Sequence, residues 1–267
     1  MRVGVLGATG RMGQASCRAI LADGDLVLAA VAAGRGGVGR RLVELIPDAP
    51  PELRVGLGVA ELTGAKVDAV VDFSAPEATM AAARALLPQG VHLVSGTTGL
   101  AADDLQELRE LAAQGGGNVV WAPNFALGAA LAMHFAAVAA RWYQAAEVIE
   151  LHHAGKADAP SGTALRTAQA IAAARRRSTD GAPAAPARES VAGVRGGAVD
   201  GVRVHSVRLP GLVAHQEVIF GGQGELLTLR HDSLDRASFM PGMLLALRQV
   251  ASRPGLTVGL EPLLGLS

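Results

Sequence analysis

The 267 residues are half hydrophobic, 24 basic residues balance 24 acidic ones, and a chain of this length forms one large domain or two small ones. Zero formal net charge excludes a strong global field toward nucleic acid or an anionic membrane, so we expect no partner of either kind. The single cysteine, Cys17, excludes an intrachain disulfide and is typical of a reducing cytosol, so we expect a cytoplasmic protein.

The first half of the chain alternates between short apolar runs and amphipathic helical patterns. This alternation predicts βαβ units around a parallel sheet. The predicted strands lie at 2–7, 26–32, 67–73, 91–94 and 118–122, and the predicted helices at 12–22, 76–87 and 102–114.

After Pro123-Asn124 the pattern changes to one long helix and several longer β runs, which predicts a smaller α+β domain with an open mixed sheet. The helix is predicted at about 127–143, and His134 within this alanine-rich stretch favours a buried helix over a membrane span. The other predicted elements are strands at 146–152, 202–209, 215–220 and 226–230, a hairpin turn at 221–224, helices at 164–175 and 239–252, and a mobile loop at 176–201.

A glycine-rich turn, Gly7-Ala-Thr-Gly-Arg-Met-Gly13, follows the first strand and opens the first helix. Glycines permit a tight turn there, and backbone N–H groups at the helix N-terminus can reach a pyrophosphate. This placement favours a dinucleotide site on a Rossmann-type, doubly wound parallel sheet over a merely structural turn. We therefore predict a dinucleotide-binding domain at 1–125, with 237–267 packing back on it, and a substrate-binding and oligomerisation domain at 126–236.

The end of the second strand bears on the choice of cofactor. NAD sites usually place an acidic residue there for the adenosine ribose, but this chain reads Val31-Ala-Ala-Gly-Arg35. Arg35 and Arg11 can pair with a 2′-phosphate, which favours NADPH, with NADH as a second cofactor; a solvated loop position for Arg35 is the alternative. Gly96-Thr-Thr-Gly99 and Ala122-Pro-Asn-Phe125 follow strands at the same ligand-binding edge, and the second segment can act as a hinge.

The segment Glu150-Leu-His-His-Ala-Gly-Lys-Ala-Asp-Ala-Pro-Ser-Gly-Thr-Ala164 gathers groups suited to proton transfer. His152 and His153 close a strand, so their side chains point to opposite faces, and an imidazole can act as a general acid. Lys156 can donate a proton or bind a carboxylate. Asp158 either orients Lys156 or makes the turn that follows.

The same segment predicts an anion site. Ser161 is a natural N-cap for the helix that follows, and the N–H groups around Gly162 and Thr163 can bind an anion. A single histidine would favour a structural interpretation, but two histidines, a lysine and a helix start together favour chemistry on a small carboxylate.

The rest of the sequence offers little competing chemistry. Its other histidines lack zinc-ligand spacing and one cysteine is too few for a thiolate site, so we expect no metal. There is no Gly-x-Ser-x-Gly motif, and Tyr143 has no lysine four residues later, which counts against a short-chain dehydrogenase.

The segments GATGRMG, GTTG, APNF and ELHHAGKADAPSGTA, in this order, resemble the dihydrodipicolinate reductase (4-hydroxy-tetrahydrodipicolinate reductase) family. The resemblance runs nearly end to end, through VHSVRLPGLVAHQEVIFGG and RHDSLDR. It implies NAD(P)H-dependent reduction of 4-hydroxy-tetrahydrodipicolinate to tetrahydrodipicolinate with loss of water, in the diaminopimelate route to lysine. It also implies a homotetramer whose second-domain sheets pair across subunits.

The resemblance further implies a role for individual residues. His152 would be the proton donor and acceptor, and Lys156 a second proton donor. The residues that would hold the cyclic dicarboxylate substrate are His153, Ser161, Gly162 and Thr163. The residues that would bind NADPH or NADH are Gly7, Ala8, Thr9, Gly10, Arg11 and Met12 at the pyrophosphate, and Gly96, Thr97, Thr98, Ala122, Pro123, Asn124 and Phe125 on the nicotinamide side.

Two departures from the family pattern bear on function. Many members read Asn-Phe-Ser-x-Gly-Val-Asn where this chain has Asn124-Phe-Ala-Leu-Gly-Ala-Ala130, and members often carry an acidic residue near position 33, which leaves the NADPH or NADH preference open. Two rival functions also stay open. One is a reductase of the same fold that acts on another cyclic imine or keto acid; the other is a non-catalytic nucleotide sensor, against which the intact His-His-x-x-Lys motif counts.

Overall fold

A computed structural model describes residues 1–34, 36–175 and 189–266. The chain forms two compact units, which we call unit 1 (Met1–Phe125 with Phe239–Ser267) and unit 2 (Ala126–Ser238). The sequence predicts boundaries at 125 and 236, and what each unit binds stays a prediction.

The helices and strands are numbered along the chain. They are β1 (Arg2–Leu6), α1 (Arg11–Leu21), β2 (Val27–Ala33), β3 (Val55–Leu57), α2 (Gly58–Gly64), β4 (Ala69–Asp72), α3 (Pro76–Leu86), β5 (His92–Ser95), α4 (Ala102–Ala113), β6 (Val119–Trp121), α5 (Leu127–Ala139), β7 (Ala145–His152), α6 (Gly162–Arg175), β8 (Gly197–Val199), β9 (Val202–Arg208), β10 (Ala214–Gly222), β11 (Glu225–Ser233), α7 (Met240–Val250) and β12 (Leu256–Val258).

Unit 1 contains a parallel sheet with the strand order β12-β6-β5-β4-β1-β2-β3. Its central strands are apolar on both faces, as Val3, Val5 and Val70 show, because both faces of such a sheet are covered. The order reverses between β1, which leads to β2, and β4, which leads to β5. This arrangement confirms the doubly wound sheet and places its ligand-binding edge at the carboxyl ends of β1 and β4.

Unit 2 contains a mixed sheet with the strand order β11-β10-β7-β9-β8, in which β7 and β9 are the parallel pair. Helices α5 and α6 pack on the face that carries Val148. Because side chains alternate along a strand, Glu150 and His152 extend from this same face, whereas Ile149 and Leu151 extend from the other. The predicted open mixed sheet is thereby confirmed, since neither α5 nor α6 covers that second face.

The structure adds elements that the sequence analysis does not predict and departs from two of its predictions. The sequence gives no prediction for β3, α2 and β12, which are too short to show a clear periodicity. The predicted loop at 176–201 contains β8 near its end, and positions 176–188 lie outside the described residues. Helix α5 is not buried all round, because Phe135 is 49% exposed and Val138 is 39% exposed. In the described part of the chain, no helix is long and apolar enough to cross a membrane.

Candidate active site

The predicted proton donor His152 is the last residue of β7, on the face that α6 covers. Its Nδ1 lies 2.5 Å from Oε2 of Glu150, which is wholly buried two residues earlier on the same strand. Arg208, at the end of β9, donates to both carboxylate oxygens of Glu150, from Nη2 to Oε1 at 2.7 Å and from Nη1 to Oε2 at 2.9 Å. The parallel register of β7 and β9, which pairs His152 with Arg208, brings these three side chains together.

Burial is the largest influence on His152 and lowers its pKa. The hydrogen bond and charge of Glu150 raise this pKa by less, and the positive charges of Lys156 and Arg208 lower it further, so that it lies below the usual value of 6.5. Burial raises the pKa of Glu150, but the hydrogen bonds from Arg208, Ser206 and His152 lower it more, to below 4.5 overall. At neutral pH the site therefore contains a neutral imidazole beside an ionised carboxylate.

This combination determines the tautomer of His152. An ionised carboxylate can only accept a hydrogen bond, so the neutral imidazole must carry its proton on Nδ1, which faces Glu150. Nε2 is then the nitrogen that accepts a proton.

Lys156 lies in the loop that follows β7, and its Nζ donates to Oδ1 of Asp158 at 2.7 Å. The hydrogen bond from Lys156 is the main reason why the pKa of Asp158 is lowered. Arg208 also reaches this loop, since its Nη2 donates to the backbone carbonyl of Asp158 at 2.7 Å. Asp158 thus binds Lys156 directly, which favours the orienting role over a turn alone.

Ser161 directly precedes α6, and its hydroxyl oxygen accepts from the N–H of Ala164 at 3.2 Å, as an N-cap does. The first turn of α6 is braced from the sheet: Nε2 of Gln216 on β10 donates to the Thr167 hydroxyl, which donates to the carbonyl of Thr163, both at 2.9 Å. The first helical residue, Gly162, is exposed. The helix start therefore has the fixed backbone that an anion site requires.

The structure separates the two adjacent histidines. His152 ends the strand, and His153 follows it as an exposed loop residue that is close to Gly155. The prediction that both residues close the strand is therefore wrong for His153. This difference leaves His152 as the imidazole with a buried partner.

In unit 1 the predicted pyrophosphate turn joins β1 to α1. Gly7 has φ +83°, and a Cβ there would lie 2.5 Å from the Phe73 carbonyl oxygen; a Cβ at Gly13 would lie 2.1 Å from the Gly7 oxygen. The amides of Gly7 and Ala8 both donate to the Ala32 carbonyl, at 2.9 and 3.0 Å. The amide of Gly10 donates to the Gly7 carbonyl, so three of the amides predicted for the cofactor already have acceptors within the protein.

The buried carboxyl of Asp72, at the end of β4, accepts hydrogen bonds from the GTTG segment and its neighbours. The sequence alone predicts no role for this residue. The hydroxyls of Ser95 and Thr97 donate to its Oδ2, at 2.7 and 2.9 Å. The hydroxyl of Thr79 also donates to Oδ2, and Ser74 donates to Oδ1 from its hydroxyl and its amide. Asp72 thereby ties the loops after β4 and β5 to the start of α3.

Thr97 is buried, and its carbonyl accepts from the Trp121 indole N–H at 2.9 Å, whereas Thr98 is exposed. The segment Ala122–Phe125 follows β6, and Phe125 packs edge to face on Phe73 with ring centroids 5.8 Å apart. Ala126 is the N-cap of α5 and makes no side-chain capping hydrogen bond. Arg35 lies outside the described residues.

No group of three or more histidine, cysteine, aspartate or glutamate residues suited to a metal occurs within 1–34, 36–175 and 189–266. Three side chains have no role in the sequence prediction: Glu150 and Arg208 at the candidate site of unit 2, and Asp72 at that of unit 1. The strand periodicity places Glu150 on the face of His152, and Asp72 ends an apolar run at the ligand edge, so both had a local signal. Arg208 had none, because only the pairing of β7 with β9 brings it to the site.

Two family models match the chain: "Dihydrodipicolinate reductase, N-terminus" over residues 1–125 and "Dihydrodipicolinate reductase, C-terminus" over residues 128–264. The 4-hydroxy-tetrahydrodipicolinate reductase of Nocardia farcinica is 51% identical, and the alignment covers 100% of this chain and 99% of the relative. The enzyme of the same name from Mycobacterium marinum is 48% identical, with 100% of both chains covered.

Solved structures agree with these matches. The dipicolinate-bound dihydrodipicolinate reductase from Paenisporosarcina sp. TG-14 has a TM-score of 0.82 and 38% identity, with 98% of each chain covered. An amine dehydrogenase from Mycobacterium smegmatis, with a TM-score of 0.64 and 15% identity, covers 96% of this chain and 94% of its own, and shares the fold alone.

Proposed function

This chain belongs to the dihydrodipicolinate reductase family, and we propose that it reduces 4-hydroxy-tetrahydrodipicolinate to tetrahydrodipicolinate with loss of water, in the diaminopimelate route to lysine. The observation that carries this proposal is the arrangement at the end of β7. There a histidine with a buried carboxylate partner lies in the segment that also contains Lys156 and the start of α6. Unit 2 thus combines proton transfer with anion binding, as reduction of a dicarboxylate requires.

Unit 1 fits a reduced nicotinamide dinucleotide, NADPH or NADH. A Cβ at Gly7 or Gly13 would overlap the protein's own backbone atoms, as expected for the first and last glycines of a dinucleotide-binding turn, which permit the tight turn and the close packing of helix on strand. Because the amides of Gly7, Ala8 and Gly10 are already engaged, we assign the pyrophosphate chiefly to the first turn of α1, at Arg11 and Met12. The cofactor, when bound, supplies a hydride.

The nicotinamide side of the cofactor is assigned to Gly96, Thr97, Thr98 and Ala122–Phe125, at the carboxyl ends of β5 and β6. Arg11 is exposed at the start of α1 and can meet a 2′-phosphate, which supports NADPH as the preferred cofactor. We assign Arg35, as the sequence predicts, to the same 2′-phosphate.

Reduction with loss of water consumes one proton besides the hydride, because the 4-hydroxyl group of the substrate must take up a proton to leave as water. His152 supplies this proton in our proposal. Its Nδ1 is bound to Glu150, so it gains and loses a proton at Nε2, and the imidazolium that forms faces the Glu150 carboxylate. Lys156, oriented by Asp158, is the second donor.

The substrate carboxylates are assigned to His153, Gly162 and Thr163, next to the N-cap Ser161. The helix macrodipole favours negative charge at this end of α6. The hydroxyl of Ser161 caps the helix, so its contribution is to hold the backbone rather than to bind substrate directly.

We further propose a cytoplasmic homotetramer. The sheet face of unit 2 that neither α5 nor α6 covers carries Ile149, Leu151 and Ile219, all incompletely buried in the single chain. The strand register also places charged side chains on this face, those of Glu147, Glu217 and Arg230. A face that mixes apolar and charged groups in this way is suited to pairing with a second copy of the chain. Analytical ultracentrifugation of the purified protein measures the assembly directly, and a monomer would contradict it.

The function is tested by turnover. The product of pyruvate and aspartate semialdehyde condensation should support oxidation of NADPH or NADH, and other cyclic imines or keto acids should not. A His152→Ala variant should lose activity by about 10²–10⁴-fold, the usual contribution of a general acid, and Lys156→Ala should be similarly impaired. Both should retain cofactor binding, measured by nicotinamide fluorescence.

Each rival function has its own outcome in this assay. Faster turnover with a different imine or keto acid would identify a reductase of another substrate. Cofactor binding without turnover of any substrate would identify a nucleotide sensor. Full activity in both variants would remove His152 and Lys156 from the mechanism.

A further inference from the structure

The carboxylate of Glu150 accepts hydrogen bonds from the side chains of Arg208, Ser206 and His152, and of these His152 is the one that gains and loses a proton. The Glu150 Oε2 meets Nδ1 of His152 at 2.5 Å and Nη1 of Arg208 at 2.9 Å, and the Glu150 Oε1 accepts from Nη2 of Arg208 at 2.7 Å. Glu150 is wholly buried, and burying a carboxylate is costly unless it is paired and hydrogen-bonded. A pair made for stability alone would need only the guanidinium, so the contact with His152 requires a separate explanation.

We propose that Glu150 is a positioning residue that holds His152 in its Nδ1–H tautomer, and that Arg208 keeps Glu150 ionised while joining it to the loop that carries Lys156. This inference rests on the proposed function, because it assigns how the proton donor of that reaction is oriented. Neither residue has to touch the substrate for this role.

The geometry supports the joining role of Arg208. One guanidinium binds Glu150 on β7 and the carbonyl of Asp158 in the following loop, while Oδ1 of Asp158 accepts from Lys156. The backbone adds a further link, since the amide of Leu209 donates to the carbonyl of His152 at 3.1 Å. Both proposed proton donors therefore belong to one connected network.

The charges of the network are balanced while the imidazole is neutral. Glu150 and Asp158 carry one negative charge each, and Arg208 and Lys156 one positive charge each. When His152 takes up a proton, its positive charge interacts with three neighbouring groups. These are Glu150 on the same strand, Arg208 on β9 and Lys156 in the loop that follows β7. Glu150 thus favours the protonated form, and the two cations disfavour it.

These opposing influences predict shifts of opposite sign. In the wild type, the rate should fall as pH rises through the pKa of His152, because less of the donor form remains. Glu150→Gln removes the charge that raises this pKa, so the falling limb should move to lower pH. Arg208→Gln removes a charge that lowers this pKa, while the hydrogen bonds from Ser206 and His152 still favour the ionised form of Glu150, so the limb should move to higher pH.

The experiment compares Glu150→Gln, Arg208→Gln and the control Glu107→Gln by pH–rate profiles. Glu107 on α4 accepts a bidentate contact from Arg84 at 2.6 and 2.8 Å, and it is a Glu–Arg pair outside the site. We expect Glu150→Gln to lower kcat by about 10²-fold with little change in KM, since general acid catalysis contributes at least that much. The control should keep the wild-type rate and profile.

A second readout does not depend on activity. Nitrogen NMR of labelled histidine in the wild type should show a neutral His152 with its proton on Nδ1. In the Glu150→Gln variant the side chain has only one acceptor oxygen. That oxygen cannot accept both hydrogen bonds from Arg208 and a third from Nδ1–H of His152, so the Nε2–H tautomer should appear.

The outcomes separate the inference from the proposed function. A wild-type enzyme without turnover overturns the function, and the NMR tautomer still decides the inference. A wild-type rate in Glu150→Gln, a lowered rate with an unmoved limb, or an Nε2–H tautomer in the wild type would each overturn the inference alone. If Glu150→Gln does not fold, the sign of the Arg208→Gln shift and the wild-type tautomer decide.

Discussion

Each unit of this protein has one wholly buried acidic side chain at its candidate site, and the two are satisfied in different ways. Asp72 in unit 1 accepts from the hydroxyls of Ser74, Thr79, Ser95 and Thr97 and from one backbone amide, all of them neutral donors. Glu150 in unit 2 accepts from the guanidinium of Arg208, from the imidazole of His152 and from the side chain of Ser206.

This difference separates two tasks. The donors to Asp72 lie on α3, at the end of β5 and in the loops after β4 and β5, so this carboxyl fixes the course of the backbone there. These hydroxyl donors stay neutral. Besides Ser206, the partners of Glu150 are a permanent cation and an imidazole that gains and loses a proton, so the interaction energy of this carboxylate changes with the charge of His152. We infer that Asp72 shapes a binding surface, whereas Glu150 serves a proton donor.

The largest effect should follow from Glu150→Ala. It leaves Arg208 in a mostly buried position without its carboxylate, and removal of one partner of a buried pair typically costs about 3–5 kcal/mol. The free energy of unfolding from urea titrations should fall by this order, while the affinity for NADPH should hardly change. The milder Glu150→Gln should lose less stability because the amide oxygen still accepts from Arg208. Equal loss in both variants would show that the negative charge of Glu150, which both substitutions remove, determines the cost, and that the retained acceptor oxygen contributes nothing.

The second effect should follow from Asp72→Ala, which leaves several buried hydroxyls without an acceptor. Each unsatisfied buried group costs about 1–3 kcal/mol. Thr79 can turn to the Ala75 carbonyl, and Ser74 is only half-buried. Ser95 and Thr97 are therefore the groups mainly left unsatisfied, and the loss should be about 2–6 kcal/mol, of the same order as for Glu150→Ala. Because Thr97 is released, the dissociation constant of NADPH should rise, with that of dipicolinate nearly unchanged.

A fluorescence titration with NADPH and a calorimetric titration with dipicolinate test this pattern. Asp48→Ala, at an exposed position, is the matched control and should change neither constant. If Asp72→Ala weakens dipicolinate as much as NADPH, the carboxyl does not act through the GTTG segment.

The two carboxyls also show how far the sequence leads. The β runs and the glycine turn predict the doubly wound sheet, and the His-His-x-x-Lys segment predicts His152 and Lys156, because these features are local and periodic. Glu150 lies two residues before His152 and Asp72 lies within the strand predicted at 67–73, yet a lone acidic residue in an apolar run has many possible partners. Arg208 needs the register of β7 with β9, which depends on tertiary packing and leaves no trace in the local sequence.

A smaller effect should follow from Ser161→Ala. The hydroxyl of Ser161 caps α6 next to the proton-transfer network, and loss of an N-cap costs about 1 kcal/mol. Thermal unfolding should show this loss, and Ser161→Asp should restore most of it, since aspartate is an equally good N-cap. A large loss of dipicolinate affinity with no loss of stability would instead make Ser161 a direct substrate ligand.

The smallest effect should be the change of stability with pH, because it depends on shifts that neighbouring charges partly offset. The pKa of His152 is lowered by burial, and His231, which is also in unit 2, is lowered for the same reason. A group with a lowered pKa binds fewer protons in the folded state, so its contribution to stability is complete above the unfolded value of 6.5 and is lost as pH falls through the folded pKa. The pKa of Glu150 is also lowered, so its contribution to stability is likewise lost on acidification, below its own unfolded value of 4.5.

The midpoint of urea unfolding should therefore fall steadily on acidification below pH 6.5. His152→Gln should flatten the upper part of this decline without removing it, since His231 remains. A midpoint that rises on acidification would mean that Glu150 outweighs burial at His152, and the imidazole would then be charged at neutral pH.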